Sequence, residues 1–310
     1  MILVTGGLGM IGAHTAQALI DAGHDVVVTA HQRAEVPSFL EGRVTVEPLD
    51  VTDADAFLDL GTRYEISDIV HLSGSVPGED PVAFFRTETT GLLNALDAAS
   101  AWSVRRFLVA SSLGSYLGRS EVPWHEGLDI PAVPVPHPII AFKKMVEPLV
   151  LHALQGGETQ AVVLRIGSSW GPLMDPESPF NPIPPYISAV LRGDPPPLVY
   201  AEDGGDTCYA PDTGRAIALL TTAPTLRHDI YNVSSGRPFR NRDLAQALEE
   251  ALEEARPGLS LELRPGRETG PGENSYLDVT RLTEDTGFLP AFDMRAAVAD
   301  YVAWRTTHER

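Results

Sequence analysis

The chain has 310 residues, 43% of them hydrophobic and 21% charged, enough for one large α/β domain with an appended lobe or for two modest domains. Its formal net charge of -19 repels phosphate backbones and anionic headgroups, so neither nucleic acid nor a membrane surface is an expected partner. One cysteine, Cys208, forbids an intrachain disulfide and a cysteine-based metal site, and no metal is expected. The N-terminus opens directly on the strand-like run Ile2-Leu3-Val4, without the charged head of a signal peptide, and no apolar run approaches the roughly 18 residues of a membrane span. A cytoplasmic location is the default expectation.

Taken in chain order, the first half alternates. Ile2-Leu3-Val4 predicts a buried strand, followed by a glycine-rich turn and a helix from about Met10 to Ala22, with Ile11, Thr15, Ala18, Leu19 and Ala22 on one face. Further strands are predicted at Val26–Val28, Val44–Val46, Ile69–Leu72 and Phe107–Ala110. Helices are predicted at about Asp53–Thr62, Pro81–Ala99 and Pro138–Leu154, the last leading to a strand at Ala161–Arg165. Short continuous apolar strands separated by helices imply a parallel sheet covered on both faces, a doubly wound Rossmann α/β fold. After about Gly171 prolines mark a long irregular connection. Beyond it come a helix near Ile187–Arg192, a strand at Tyr231–Val233, a helix at Asn241–Glu254, a strand at Leu259–Leu263 and a last helix at Met294–Arg305. The division expected is a dinucleotide-binding domain over 1–172 and a smaller α/β substrate-binding region over 173–310, with segments returning to the first domain.

The segment Thr5-Gly6-Gly7-Leu8-Gly9-Met10-Ile11-Gly12 places Gly6, Gly9 and Gly12 between a strand and a helix. One glycine permits the tight turn, one lets a pyrophosphate approach the backbone, and one lets helix and sheet pack closely. Free amides at Met10 and Ile11 and the positive end of the helix dipole then face the phosphates. The second strand ends Thr29-Ala30-His31-Gln32-Arg33, with Ala30 where an acidic residue would select NAD by accepting from the ribose 2′-OH. His31 and Arg33 lie close enough to face a 2′-phosphate, which tilts the expectation toward NADP over NAD. The alternative is that Arg33 is a solvated loop residue and NAD binds without that carboxylate. Asp50 and Val51 are placed for the adenine.

These motifs resemble the extended short-chain dehydrogenase/reductase family, also called the NAD-dependent epimerase/dehydratase family. The glycine segment matches the family fingerprint, and Val70-His71-Leu72-Ser73-Gly74 is similar to the fourth-strand motif beside the nicotinamide. Ala110-Ser111-Ser112-Leu113-Gly114-Ser115-Tyr116 resembles the fifth-strand serine segment, and Leu164-Arg165 with Trp170-Gly171-Pro172 resembles the sixth-strand motif. Tyr231 to Gly236, and Asp278 with Leu282, Gly287 and Phe288, match C-terminal features. The resemblance implies that Leu72, Ser73 and Gly74 contact the cofactor, that Ser112 is the catalytic serine, and that Lys143, with Glu147 four residues later, is the catalytic lysine binding the ribose. It also implies a homodimer through the helices Pro81–Ala99 and Pro138–Leu154.

The sequence departs from the family at the proton-transfer position. The tyrosine four residues before the lysine is Ile139 here, and pairing with Lys144 instead gives Ile140. Isoleucine exchanges no proton, so three substitutes are considered: Tyr116, four residues after Ser112; His137, two residues before Ile139 and of the residue type most used for proton transfer; and Glu88, where the family has asparagine. Ser168 and Gly205 stand where nucleotide-sugar enzymes of the family place asparagine and arginine, with Arg264 available for a diphosphate. Ser112, Ser168, Glu88 and His137 are therefore the expected contacts of a small polar or sugar-like substrate. Three functions follow: an NAD(P)-dependent oxidoreductase, epimerase or dehydratase with altered acid–base chemistry; a redox-neutral lyase or isomerase keeping the fold; and a non-catalytic NAD(P)-binding scaffold.

Overall fold

The computed structural model describes residues 1–31, 35–268 and 274–309. The first half runs β1 (Ile2–Thr5), α1 (Met10–Asp21), β2 (Val26–Ala30), β3 (Thr45–Pro48), α2 (Ala54–Arg63), β4 (Asp68–His71), α3 (Pro81–Ala101), β5 (Arg106–Ser112), α4 (Pro138–Ala153) and β6 (Gln160–Ile166). The second half contributes β7 (Ser169–Trp170), α5 (Ile183–Arg192), β8 (Gly204–Asp206), β9 (Cys208–Tyr209), α6 (Ala210–Thr222), β10 (Ile230–Val233), β11 (Pro238–Arg240), α7 (Asn241–Leu252), α8 (Thr280–Thr286) and α9 (Met294–Arg305).

Seven strands form one sheet in the order β10-β6-β5-β4-β1-β2-β3, every neighbouring pair parallel. The continuous apolar runs are explained by burial on both faces. Within β1, Ile2 and Val4 join the core under α1 and α6, whereas Leu3 joins the core under α2, α3 and α4. The strand order reverses beside β1, which opens the crevice at the strand carboxyl ends where α/β sheets bind ligands. A third core, built on Trp170, Tyr209, Leu248 and Tyr301, belongs to the C-terminal part. Helix starts follow local chemistry: the Asp80 side chain accepts from the Val82 amide, and Pro81 sits at the first helical position of α3, where no amide hydrogen is needed.

Two segments beyond residue 172 complete the main sheet layer. β10 pairs with β6 from Ile230↔Val163 to Val233↔Ile166. Helix α6 lies against α1 so closely that a Cβ on Gly214 would stand 2.4 Å from the His14 carbonyl carbon. Its C-terminal carbonyls are capped from the start of β5: Arg106 donates to Leu220, Thr221 and Ala223, and Arg105, just before that strand, to Thr221 and Ala223.

Two expectations are corrected. Leu259–Leu263 is not a strand; Leu259 and Leu261 pack onto the third core, and the Leu261 amide donates to Glu249 of α7 (2.6 Å). The alternation there reflects docking on a helix, not a partner strand. Helix α5 begins at Ile183, one turn before the expected Ile187, because Pro184 and Pro185 occupy a first turn whose amides need no partner.

Candidate active site

The glycine segment turns from β1 into α1. Gly6 adopts φ +65°, and a Cβ there would lie 3.0 Å from the Ser73 backbone. At Gly12 a Cβ would stand 2.3 Å from the Gly6 carbonyl oxygen and 2.8 Å from Gly7 Cα, so the loop exists only without side chains at these positions. Gly9 is the N-cap of α1 with no side-chain hydrogen bond, which leaves the amides of Met10 and Ile11 to whatever anion approaches. The residues therefore fit a dinucleotide pyrophosphate.

Thr5 ties this loop to the end of β4. Its Oγ1 accepts from the amides of Leu72 (3.1 Å) and Ser73 (3.2 Å) and lies 3.0 Å from His71 Nδ1. With both lone pairs taken, the hydroxyl hydrogen goes to Nδ1, so His71 carries its own hydrogen on Nε2. Burial, reinforced by the charge of Lys143, pushes the His71 pKa down to about 3, so this ring stays neutral.

At the end of β2, Ala30 is followed by His31, exposed, with Nε2 3.8 Å from Asp50 Oδ2. Asp50 also accepts from the Thr52 amide and hydroxyl, which holds its carboxyl below the usual range. The Val51 carbonyl accepts from Asn94 of α3 (2.9 Å). Arg33 lies outside the described residues.

On the opposite side, Lys143 of α4 donates to the Ala110 carbonyl of β5 (2.8 Å), two residues before Ser112. Burial pulls its ammonium from 10.5 to about 8, with the Glu88 charge opposing. The Ser112 hydroxyl accepts from the Gly114 amide (3.1 Å). Ile140 Cδ1 packs 2.2 Å from where a Gly114 Cβ would be, and Ile139, one helical turn before Lys143, packs into the core around Phe142 and Val146. Glu88 of α3 accepts from the Ser75 amide and hydroxyl, both at 2.8 Å, and its Oε2 lies 3.4 Å from where a Gly74 Cβ would be. The ring of His137 caps α4 by accepting from the Ile139 amide through Nδ1 (3.3 Å) and meets Phe180 edge-on at 5.8 Å. The Ser168 amide donates to Asp206 (2.8 Å), and its hydroxyl accepts from Asn181 (2.9 Å).

Tyr116 is the correction. The short 3-10 turn Leu113–Tyr116 sends its ring into the core, fully buried and stacked on Trp124. Its hydroxyl donates to Asn232 Oδ1 (2.9 Å) and accepts from Arg165 Nη1 (2.8 Å), and burial raises its pKa to about 12. Arg165 in turn pairs with Glu147, both nearly fully buried, through contacts of 2.8 to 3.2 Å. The group expected to transfer a proton is a member of a saturated internal network.

Residues 2–234 match the model of the NAD dependent epimerase/dehydratase family. The chain belongs to that family. It is 26% identical to human UDP-glucose 4-epimerase over 98% of this chain and 96% of that protein. It is 29% identical to dTDP-glucose 4,6-dehydratase of Streptomyces griseus over 99% and 94%. Among solved structures, the UDP-glucose 4-epimerase of Thermus thermophilus in complex with NAD superposes with a TM-score of 0.77 at 26% identity, covering 99% of each chain. Membership of this epimerase/dehydratase family accounts for the doubly wound sheet and the glycine cradle. Asn181 and Asp206 were not singled out from sequence: they act on Ser168 from 13 and 38 residues away, and no local pattern marks them. Among the described residues no helix is long and apolar enough to cross a membrane, and no group of three metal-ligating side chains is assembled.

Proposed function

We propose that this protein is an NAD(P)-dependent enzyme acting on a nucleotide-sugar or similarly polar substrate, with proton transfer that does not use the family tyrosine. The observation that carries the reading is the glycine cradle, where backbone atoms occupy the space a Cβ would need and the N-terminus of α1 is left without a side-chain cap. A bound dinucleotide supplies reversible hydride transfer. The chain's part is to hold the pyrophosphate on Gly6, Gly9, Met10, Ile11 and Gly12, the adenine at Asp50 and Val51, the link to the nicotinamide on Leu72, Ser73 and Gly74, and the ribose on Lys143. Ser112 hydrogen-bonds the substrate oxygen. Ser168, Glu88 and His137 supply the polar contacts to substrate, and Arg264, exposed and stacked over Tyr200 at 5.4 Å, meets a diphosphate.

With Ile139 in the tyrosine position, proton transfer falls to Glu88 or His137. His137 spends Nδ1 on the helix cap, which leaves Nε2 to face the substrate, whereas Oε2 of Glu88 accepts no hydrogen bond among the described residues. Ile139 also favours a second reading, a redox-neutral lyase or isomerase that retains the nucleotide as a fixed part. Within either reading, residues 1–172 form the cofactor part and 173–310 mainly the substrate part. NADP is preferred because Ala30 brings no carboxylate to the 2′ position. Two copies pair through α3 and α4, whose Val82, Leu93 and Met145 are exposed.

Calorimetric titration with NAD+, NADH, NADP+ and NADPH, followed by turnover of UDP- and dTDP-sugars watched by proton NMR, tests this proposal. Binding of at least one dinucleotide, and loss of it in Gly9→Trp, is expected. A folded protein that binds none of the four would overturn it.

A further inference from the structure

Two departures from the family pattern, Ile139 and Glu88, bear on the same lysine. Lys143 shares its helix face with Ile139, and its ammonium has the Ala110 carbonyl as partner, without an ion pair among the described residues. Glu88 is the carboxylate whose charge it feels. Glu88 is itself held in place: Oε1 takes both Ser75 donors, while Oε2 receives no hydrogen bond among the described residues and points along Gly74. The segment it grips, Ser73 to Ser75, is the one pressed against Gly6 and tied to Thr5. A negative charge is thus anchored where the glycine loop meets the end of β4, and the buried imidazole of His71 in that strand is neutral.

Resting on the dinucleotide reading above, we infer that Glu88 sets the balance between the two redox forms of the cofactor, holding the oxidised form preferentially. The oxidised nicotinamide ring is cationic and the reduced ring neutral, while the rest of the molecule is the same. A carboxylate on the nicotinamide side of the crevice therefore attracts one form and leaves the other almost untouched. The asparagine that the family pattern has at this position carries no such charge. Through an effective dielectric of about 20, one unit charge about 12 Å away changes an equilibrium on the order of ten-fold.

The test is calorimetric titration of the full chain, Glu88→Gln, Glu88→Asn and Ser75→Ala with both NAD+/NADH and NADP+/NADPH. The 2′-phosphate cancels within each pair. Glu88→Gln keeps an oxygen to accept from Ser75 and removes only the charge. It is expected to weaken the oxidised form about ten-fold and the reduced form less than about two-fold, with Glu88→Asn moving the ratio the same way and Ser75→Ala leaving it unchanged. Equal changes in both forms, no change in either, or a ratio shift in Ser75→Ala as large as in Glu88→Gln would each overturn the inference while leaving dinucleotide binding intact. Absence of binding by the unaltered chain would instead remove the dinucleotide reading and this inference with it.

Discussion

Tyr116→Phe separates a structural hydroxyl from a catalytic one. The ring is fully buried, and its stacking on Trp124 at 5.6 Å and its position under the Arg165 guanidinium at 4.8 Å both survive the change. What disappears is one hydrogen bond from a charged donor, Arg165, and one to Asn232. Asn232 is itself fully buried, and its amide nitrogen is already committed to the Trp124 and Asp278 carbonyls. Its Oδ1 and one Arg165 N–H are therefore left unpaired in the interior. A charge-assisted bond is worth roughly 1.5–3 kcal/mol and an orphaned buried polar atom roughly 1–3 kcal/mol, so a net loss of about 3 kcal/mol is expected. Urea unfolding measures it, and a parallel calorimetric titration with the best-bound dinucleotide should give an affinity within about two-fold of the unaltered chain. A variant as stable as the parent that had lost cofactor binding or turnover would refute the structural assignment and return the hydroxyl to the pocket.

Gly12→Ala forces a Cβ to within 2.3 Å of the Gly6 carbonyl oxygen; dinucleotide affinity should fall more than about ten-fold by calorimetry, with a stability loss of about 1–3 kcal/mol. Glu147→Ala strands the buried Arg165 charge and should cost about 3–5 kcal/mol in urea unfolding, less than additively with Tyr116→Phe because the two share Arg165. Lys143 has a folded-state pKa of about 8 against 10.5 in its ordinary state. Above pH 8 the unfolded chain therefore binds the extra proton, and stability should rise between about pH 8 and 10, a rise that Lys143→Met removes from the denaturation midpoint. Ala30→Asp should weaken NADP+ at least about ten-fold relative to NAD+ if the 2′ position lies at the end of β2, and an unchanged ratio in the same titration would place it elsewhere.

What could be read in the residues follows from how local the cause is. Gly6, Gly9 and Gly12 answer to a turn completed within eight positions, so their spacing shows their purpose. The strands are legible because burial on both faces leaves continuous apolar runs. Helix α6 was not visible: Pro211, Thr213 and Gly214 are poor helix residues, and the helix is held instead by packing on α1 and by Arg105 and Arg106 reaching its last carbonyls. Tyr116 illustrates the other limit. Its distance from Ser112 along the chain is fixed, but the side to which the turn Leu113–Tyr116 sends it depends on Asn232, 116 residues away.

The pairing of β10 with β6 also bears on how the chain is made. A nascent polypeptide that has emerged as far as Ile166 owns six of the seven strands yet exposes the edge of β6 until Ile230–Val233 has been synthesised. For most of that interval, until Thr222 has been added, the glycine loop also lacks α6, which packs against α1 from behind. A ribosome-bound intermediate truncated before residue 230 should therefore be prone to edge-to-edge association, and the first half of the chain should reach its final form only after much of the second half has been translated.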